Sequence, residues 1–435
     1  MTAPAPGPGP RSVRAGGSRR ALFAGAVGNF IEWYEFGVYG YFATIIAARF
    51  FTPEGGGEAE ALVRTYASFA LAFFFRPVGA ALFGRLGDRV GRRPVLVLVI
   101  VLMTVATTLI GALPTYDTVG AAAPWLLTLL RVLQGLSAGG EFGGAVSVLT
   151  ESAPAGRRGL YGAWQSFTVA LGLLGGAGAA AFLATVLSPA ALESWGWRLP
   201  FLATLPLGLG ALWLRLRLDE TPAFRRENEE GTAPVRPPVR ETARAIALGA
   251  GRVMSWAAAG YTFLVVLPSY LQNSLDATFR QALLATVLAN LGFAATILPA
   301  GRLSDRVGRR PVMLTGALSV TVLALPLLNL LQAPGTSTVA KGLAVCAAGA
   351  VVGLMAGPGP AMLSEMFPTS VRYTGLGLAY ALSNAVFSGC AGLIITETIK
   401  RTGSVDIPAY YAAATCAVSA VALLTFRKPT AGQGS

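Results

Sequence analysis

Twelve apolar runs, each of about 20 residues or more, follow one another along this 435-residue chain, and that length is what crosses the hydrocarbon core of a bilayer. They lie at about 21–50, 61–83, 94–113, 123–149, 160–185, 199–217, 244–272, 280–300, 311–332, 339–363, 374–397 and 407–426. Short polar breaks separate them, so the expected fold is an all-α membrane protein of twelve transmembrane helices. Composition agrees: 54% of residues are hydrophobic and 13% charged, where soluble proteins carry about a quarter charged. Proline, glycine and lone charges blur the borders near Pro114 to Pro124 and Ser188 to Arg198.

Arginine sets the orientation, because cytoplasmic loops hold the excess of Lys and Arg. Arg11, Arg14, Arg19 and Arg20 precede the first run; Arg85, Arg89, Arg92 and Arg93 follow the second. Arg157 and Arg158, then Arg225, Arg226, Arg236 and Arg240, then Arg302, Arg306, Arg309 and Arg310 occupy every second loop thereafter, and Arg427 and Lys428 follow the last run. The alternate loops hold only scattered cations such as Arg198, Arg280, Lys341, Lys400 and Arg401. Both termini are therefore expected in the cytoplasm, in a multi-pass protein of the cell membrane. A formal charge of +13 otherwise suggests nucleic acid, but membrane topology already explains these cations and no nucleic-acid partner is needed. The N-terminal Pro/Gly/Arg stretch mimics a signal peptide, yet its apolar part exceeds the 7–15 residues of such a core, so the first run is read as retained.

The chain has no histidine, which removes the usual proton shuttle, zinc ligand and triad base. Cys346, Cys390 and Cys416 fall inside runs 10 to 12 and are read as packing. With no metal cluster, nucleophile elbow or P-loop, neither an enzyme nor a cofactor is expected. A sensor built on a transporter frame would need a signalling domain, for which arm and tail are too short.

"GRLGDRVGRRPV" from Gly84 returns as "GRLSDRVGRRPV" from Gly301, and "ESAPAGRRGLYG" from Glu151 is answered by "EMFPTSVRYTGLG" from Glu365. Two marks at nearly one offset imply two halves of six spans, the usual build of secondary transporters. The expected division is a cytoplasmic arm over 1–20, a six-helix bundle over 21–217, a cytoplasmic linker over 218–243, a second bundle over 244–426 and a tail over 427–435.

These residues resemble the major facilitator superfamily over nearly the whole chain. "GRLGDRVGRR" is similar to its signature between spans 2 and 3, and "RVLQGLSAGG" from Arg131 to its span 4 signature. "GNFIEWYEFGVYG", "FRPVGAALFGRLGDRVGRRP", "RVLQGLSAGGEFGGA" and "EMFPTSVRYTG", in that order, resemble its metabolite:proton symporter family. The resemblance implies two pseudo-symmetric bundles around a central cavity, alternating access, and cotransport of a small polar metabolite with a proton; a monomer is expected. It departs at Glu35, where members usually show Asp, and at Ala391, where a proline is expected. No long coiled-coil heptad follows Arg427, which points away from the osmosensing proline/betaine type. The expected substrate is accordingly an organic acid such as a di- or tricarboxylate. The alternatives are a zwitterion of the proline or betaine kind, or a sugar or drug, since "LDETPAF" from Leu218 also resembles sugar porters.

An ionised side chain at the bilayer centre costs several kcal/mol and marks a paired, cavity-facing or functional group. Glu32 lies about 11 residues, roughly 16 Å, into span 1. Gly28, Glu32, Glu35 and Tyr39 recur at helical spacing on one face. Burial and a nearby like charge both favour a carboxyl group's neutral form, so Glu32, Glu35 and Glu141 are candidate proton carriers, and permanent pairing with embedded arginines is the other reading. Glu141 has Arg131 or Arg76 as expected partners. The resemblance implies proton coupling through Arg131. Arg76 and Arg252 suit a carboxylate if they face the cavity, or snorkel outward. Trp33, Tyr34, Tyr39, Trp256 and Tyr261 are candidates to stack on substrate or cup a quaternary ammonium. Asn29, Gln134, Gln165, Gln272, Asn290 and Asn384 are candidate polar contacts, or interhelical glue.

The repeated signature carries its own mechanics. Asp88, in a tight Gly-rich loop, is expected near the start of span 11, and Asp305 near the start of span 5 at Gly159, where free N–H groups and a dipole attract a carboxylate. Glu151 and Glu365 join through Arg92 and Arg309, with Arg372 beside them. Together these form an expected gate that closes the cytoplasmic side.

Overall fold

A computed structural model of the chain describes residues 15–52, 57–90, 92–151, 153–154, 156–217, 238–367 and 369–425. Every described element is a helix or a helical turn. Span 1 runs over Ala15–Tyr41 and continues, past a break at Phe42, as Ala43–Ile46 and a wider turn at Ala47–Phe51. Spans 2 and 3 are Glu58–Val90 and Arg92–Ala112. Span 4 is divided into Ala122–Ala138 and Phe142–Glu151; span 5 is Arg158–Val186 and span 6 is Leu199–Leu202 with Thr204–Leu216. The second half repeats the plan. Span 7 is Val239–Tyr261, a π turn Thr262–Val266 and Leu267–Leu275; spans 8 and 9 are Phe279–Val307 and Arg309–Gln332. Span 10 is Thr338–Ala356 with Gly359–Glu365, span 11 is Thr369–Ser383, a π turn Asn384–Gly389 and Ala391–Thr402, and span 12 is Ile407–Leu424.

Among the described residues ten helices are long and apolar enough to cross a membrane. The other two expected spans, 1 and 4, are present but interrupted. Span 4 breaks at Gly139 and Gly140, and span 10 breaks at the matching place, around Gly357 and Pro358. The blurred borders resolve into short helices at Tyr116–Val119 and Pro189–Ser194, the second capped by the Ser188 hydroxyl accepting from the Ala191 N–H at 3.2 Å. The signature repeats are not loops, as expected from their glycines, but the last turns of spans 2 and 8. The chain turns only afterwards, at Gly308, whose φ of 98° suits glycine.

Small residues bring the backbones together. A Cβ on Gly79 would meet the Leu136 carbonyl, and one on Gly135 the Ala72 carbonyl, so spans 2 and 4 lie in near contact; Gly292 against Cys346 and Gly349 against Ala289 do the same for spans 8 and 10. The halves meet where span 5 packs on span 8 and span 2 on span 11. Spans 3, 6, 9 and 12 carry exposed apolar side chains such as Leu98, Val105, Leu209, Trp213, Val322 and Val418, a surface suited to lipid. The halves also touch at both ends. At the face bearing the signature repeats, Gly162 lies against Ala361. At the opposite face Tyr66 bonds Ser269 at 2.7 Å, the Thr44 hydroxyl donates to Gln272 at 3.3 Å, and Lys400 pairs with Glu60. The space between the halves is thereby enclosed.

Candidate functional site

Buried charge concentrates in the first half. Glu32 of span 1 pairs with Arg76 of span 2, Oε1 to Nη2 at 3.2 Å, and both are almost wholly buried. The Arg76 guanidinium also lies 4.2 Å from the ring centre of Phe73, 4.3 Å from Phe36 and 5.4 Å from Trp33, so aromatic faces supply attraction that water would otherwise give.

Glu35, three residues on, has a different environment. Its Oε2 accepts from the Thr107 hydroxyl of span 3 at 2.6 Å, and its Oε1 has no hydrogen-bond partner among the described residues. Thr107 accepts in turn from Gln134 Nε2 at 2.5 Å, and Gln134 Oε1 accepts from Arg131 Nη1 at 2.6 Å. Arg131 is fully buried, enclosed by Tyr39 at 4.1 Å, Phe36 at 4.7 Å and Phe69 at 4.9 Å.

Glu141, at the break of span 4, pairs with neither expected arginine. Its partner is Arg215 of span 6, which also donates to the Leu96 carbonyl at 2.8 Å. Gly28 explains the room for this pair: any side chain there would run into both groups. Arg215 went unread as a partner because it sits near the end of an apolar run. Its signal was that it still falls inside 199–217. Thr107 carried no signal, since threonine is common in helices.

Between the halves lies a narrow cavity walled by Trp33 of span 1, Trp256 and Tyr261 of span 7, Phe293 of span 8, and Tyr380 and Asn384 of span 11. Trp256 and Tyr380 approach to 5.4 Å, Trp33 and Tyr261 to 6.0 Å, and Phe142 stacks flat behind Tyr380 at 3.5 Å. Trp256 is seated against Gly359, just past the span 10 break. The Tyr261 hydroxyl has no hydrogen-bond partner among the described residues. Asn384 donates to the Tyr380 carbonyl at 2.9 Å and its Oδ1 meets the Ser388 hydroxyl at 2.9 Å. No charged side chain lines this cavity among the described residues.

Of the expected substrate contacts, Tyr261 and Asn384 therefore wall the cavity, and Arg76 stands behind Trp33. Five others lie elsewhere. Asn29 donates to Thr168 at 2.6 Å and to the Gln165 carbonyl at 3.1 Å, so Asn29 and Gln165 tie span 1 to span 5. Tyr39 covers Arg131, and Gln134 belongs to the chain of bonds ending at Glu35. Arg252 reaches the Ala422 carbonyl at 3.3 Å and the Thr425 hydroxyl at 3.0 Å, at the far end of spans 7 and 12, where it braces helices instead of facing substrate. Of the remaining polar candidates, Asn290 donates to the Thr286 carbonyl at 3.0 Å and Gln272 meets Thr44 at the closed end.

At the repeat face Asp305 accepts the N–H of Gly159 at 2.7 Å and of Leu160 at 2.9 Å, the free donors at the start of span 5. Arg309 bonds Asp305 at 2.7 Å and Glu365 at 3.0 Å. Arg372 donates to the carbonyls of Ser364 at 3.1 Å and Phe367 at 3.2 Å. The side chains of Asp88, Arg92 and Glu151 lie outside the described residues.

Comparison with known proteins agrees with this architecture. A sugar (and other) transporter family model matches residues 21–236, and a major facilitator superfamily model matches residues 248–435. The chain is 34% identical over 431 residues to the glycine betaine/proline/ectoine/pipecolic acid transporter OusA of Dickeya dadantii, covering 95% of this chain and 84% of the relative. It is 35% identical over 425 residues to the ectoine/proline transporter ProP of Corynebacterium glutamicum, covering 93% and 83%. With the proline/betaine transporter of Escherichia coli K12 it shares 34% over 422 residues, covering 94% and 83%. In fold it is similar to a D-xylose-proton symporter, with TM-score 0.75, 20% identity, and 96% and 99% of the two chains covered. It is also similar to the partially occluded inward-open xylose transporter XylE from E. coli, with TM-score 0.74, 20% identity, and 97% and 100% covered. Relatives aligned along nearly the whole length, on a helix plan repeated in two halves, make this chain a multi-pass membrane transporter of the major facilitator superfamily, in its metabolite:proton symporter family.

Proposed function

We propose that this transporter imports a compact zwitterion bearing a quaternary or secondary ammonium, of the proline or betaine kind, together with a proton. The observation that carries the reading is the wall of the cavity: Trp33, Trp256, Tyr261 and Tyr380 turn rings toward it and, among the described residues, no charged group does. Rings of this kind attract an ammonium without the desolvation cost of an anionic partner. The expected organic acid fits less well. A di- or tricarboxylate needs two or more cations at the wall, and Arg76 is occupied by Glu32, Arg131 is sealed behind Tyr39 and Phe36, and Arg252 stands at a far helix end. A single carboxylate is better matched by the Tyr261 hydroxyl, with Arg76 behind the ring of Trp33. A sugar would leave several hydroxyls without partners against these rings.

The expectation against this class came from the C-terminal tail, which bears on osmotic sensing and not on what the cavity holds. The names of the relatives, all carriers of such osmolytes, support the same choice. In this reading residues 21–217 and 244–426 rock about the cavity, the arginine-rich repeat face and both termini are cytoplasmic, and the Asp305–Gly159 contact must open to release the solute inward. Glu32 is held by Arg76, and Glu35, whose partner is a neutral hydroxyl, carries the proton.

Purified protein in liposomes tests this. An inward proton gradient should drive accumulation of glycine betaine or proline, with citrate and α-ketoglutarate neither accumulated nor competing. Gradient-driven citrate uptake that betaine fails to inhibit would return the assignment to an organic acid.

A further inference from the structure

We infer that Thr107 is the positioning residue for the transported proton: with Gln134 it forms a one-way chain of hydrogen bonds from Arg131 that reserves one oxygen of Glu35 for the proton. The inference rests on the symport reading above, and it concerns how the carrier carboxylate is set, whatever solute accompanies it.

The direction of the chain follows from donor chemistry. Arginine has donors only, so the group of Gln134 that lies 2.6 Å from Arg131 Nη1 is its oxygen. The amide nitrogen then faces Thr107 at 2.5 Å and can only donate. The Thr107 hydroxyl, already an acceptor there, has its single proton left for Glu35 Oε2 at 2.6 Å. Oε2 is thus held as an acceptor in both charge states. The arriving proton bonds Oε1, which is buried and has no partner among the described residues, and it leaves from the same atom, with no other bond made or broken.

After burial itself, this chain is the chief local influence on Glu35. On its own span are Glu32, tied to Arg76 of span 2, and Tyr34, whose hydroxyl donates to the Pro200 carbonyl at 3.1 Å. Span 4 contributes Arg131 at the head of the chain, and Glu141, tied to Arg215 of span 6. Thr107 itself comes from span 3, and it is the group with a polar atom bonded to the carboxyl. A donated bond stabilises the ionised carboxylate more than the neutral acid. Cutting it makes Glu35 hold its proton to higher pH.

Thr107→Val keeps the shape and removes the hydroxyl. The alkaline limb of proton-driven uptake should move up by about one pH unit, with accumulation reduced and substrate exchange retained, and Thr107→Ser should restore the wild-type profile. A direct reading comes from the infrared carboxyl band that Glu35→Gln abolishes, followed against pH without any substrate; in Thr107→Val it should titrate at higher pH. If Thr107→Val does not assemble in the membrane, Gln134→Met cuts the chain one bond earlier and should move the band the same way by less. A band and an uptake limb that superimpose on wild type in the variant that folds would overturn the inference. Because the band requires no solute, its shift survives if betaine proves not to be carried, and its constancy counts against Thr107 alone.

Discussion

In the first half of the molecule Glu32, Glu35, Arg76, Arg131, Glu141 and Arg215 are all buried, whereas in the second half Arg252 is the one charged side chain so buried among the described residues. The second half buries neutral groups: Ser255, Thr262, Ser269, Thr286, Asn290, Asn384, Ser388 and Ser419. Both halves use the same small-residue seams, the same break in their fourth helix and the same signature turn, so the backbone plan does not explain the difference. Chemistry does. Buried charges are retained at a cost of several kcal/mol each unless paired, and the half that keeps six of them, pairwise or through neutral relays, is the one to which the proposed function gives the proton. The second half carries that cost at Arg252 alone among the described residues and supplies Trp256, Tyr261 and Tyr380 to the cavity wall. Under the proposed symport, coupling falls to one bundle and most of the solute contact to the other.

The contrast breaks most sharply at Arg215. Removing one member of a buried pair leaves the other uncompensated, at about 3–5 kcal/mol, so Arg215→Met should lower the melting temperature in detergent markedly. The double variant Arg215→Met with Glu141→Leu should recover much of the loss. Buried hydroxyls of the second half, such as Ser419→Ala beside Ser255 at 3.0 Å, should cost only about 1 kcal/mol. Equal melting of Arg215→Met and wild type would mean that the buried pair adds nothing to stability and that the contrast between the halves is not one of cost.

A second measurement tests the cavity side. Trp256→Ala removes the ring facing Tyr380 and should weaken betaine binding about tenfold, the worth of one desolvated cation–π contact and its packing. The pH profile of uptake should stay unchanged, because no titrating group of the first half is touched. Trp256→Phe should lose less. A pH profile that moves with Trp256 would join the two halves' roles and blunt the contrast.

How much of this was readable from the residues varies with the physics. Apolar run length reports a span directly, since bilayer thickness is fixed, and the twelve runs and the doubled signature carried the fold. Helical spacing also grouped Glu32 with Glu35 on one face. It could not say that Glu32 meets Arg76 while Glu35 meets Thr107, because three residues along a helix turn the side chain toward a different neighbour. Arg215 and Tyr380 were overlooked for a similar reason: their roles depend on which helix packs opposite, and periodicity within one helix is silent on that. Asn29, Gln165 and Arg252 looked like solute contacts because polar groups inside spans are few, yet each satisfies a carbonyl or hydroxyl of an adjacent helix. The breaks at Gly139 and Gly357 were hidden by hydropathy, which runs straight through them.

The smallest expected effects concern the two closed ends, which differ in the same way as the two halves. At the repeat face Asp305 and Arg309 are nearly buried, and Asp305 accepts two backbone N–H groups at a helix start. At the opposite face Glu60 and Lys400 pair with 45% and 37% of their side chains exposed. A carboxylate on free helical donors is worth about 1–2 kcal/mol, whereas an exposed ion pair contributes little and weakens with salt. Asp305→Asn should therefore shift the population toward opening at the repeat face by roughly five- to thirtyfold, read as a longer distance between spin labels placed on the exposed Arg157 and Arg302 positions. Glu60→Gln should change the distance between labels at Ala59 and Thr402 little, and not at all in high salt. Glu60→Gln opening its end as widely as Asp305→Asn opens the other would show that the ranking by burial fails, and that the enclosed state is balanced on surface charge.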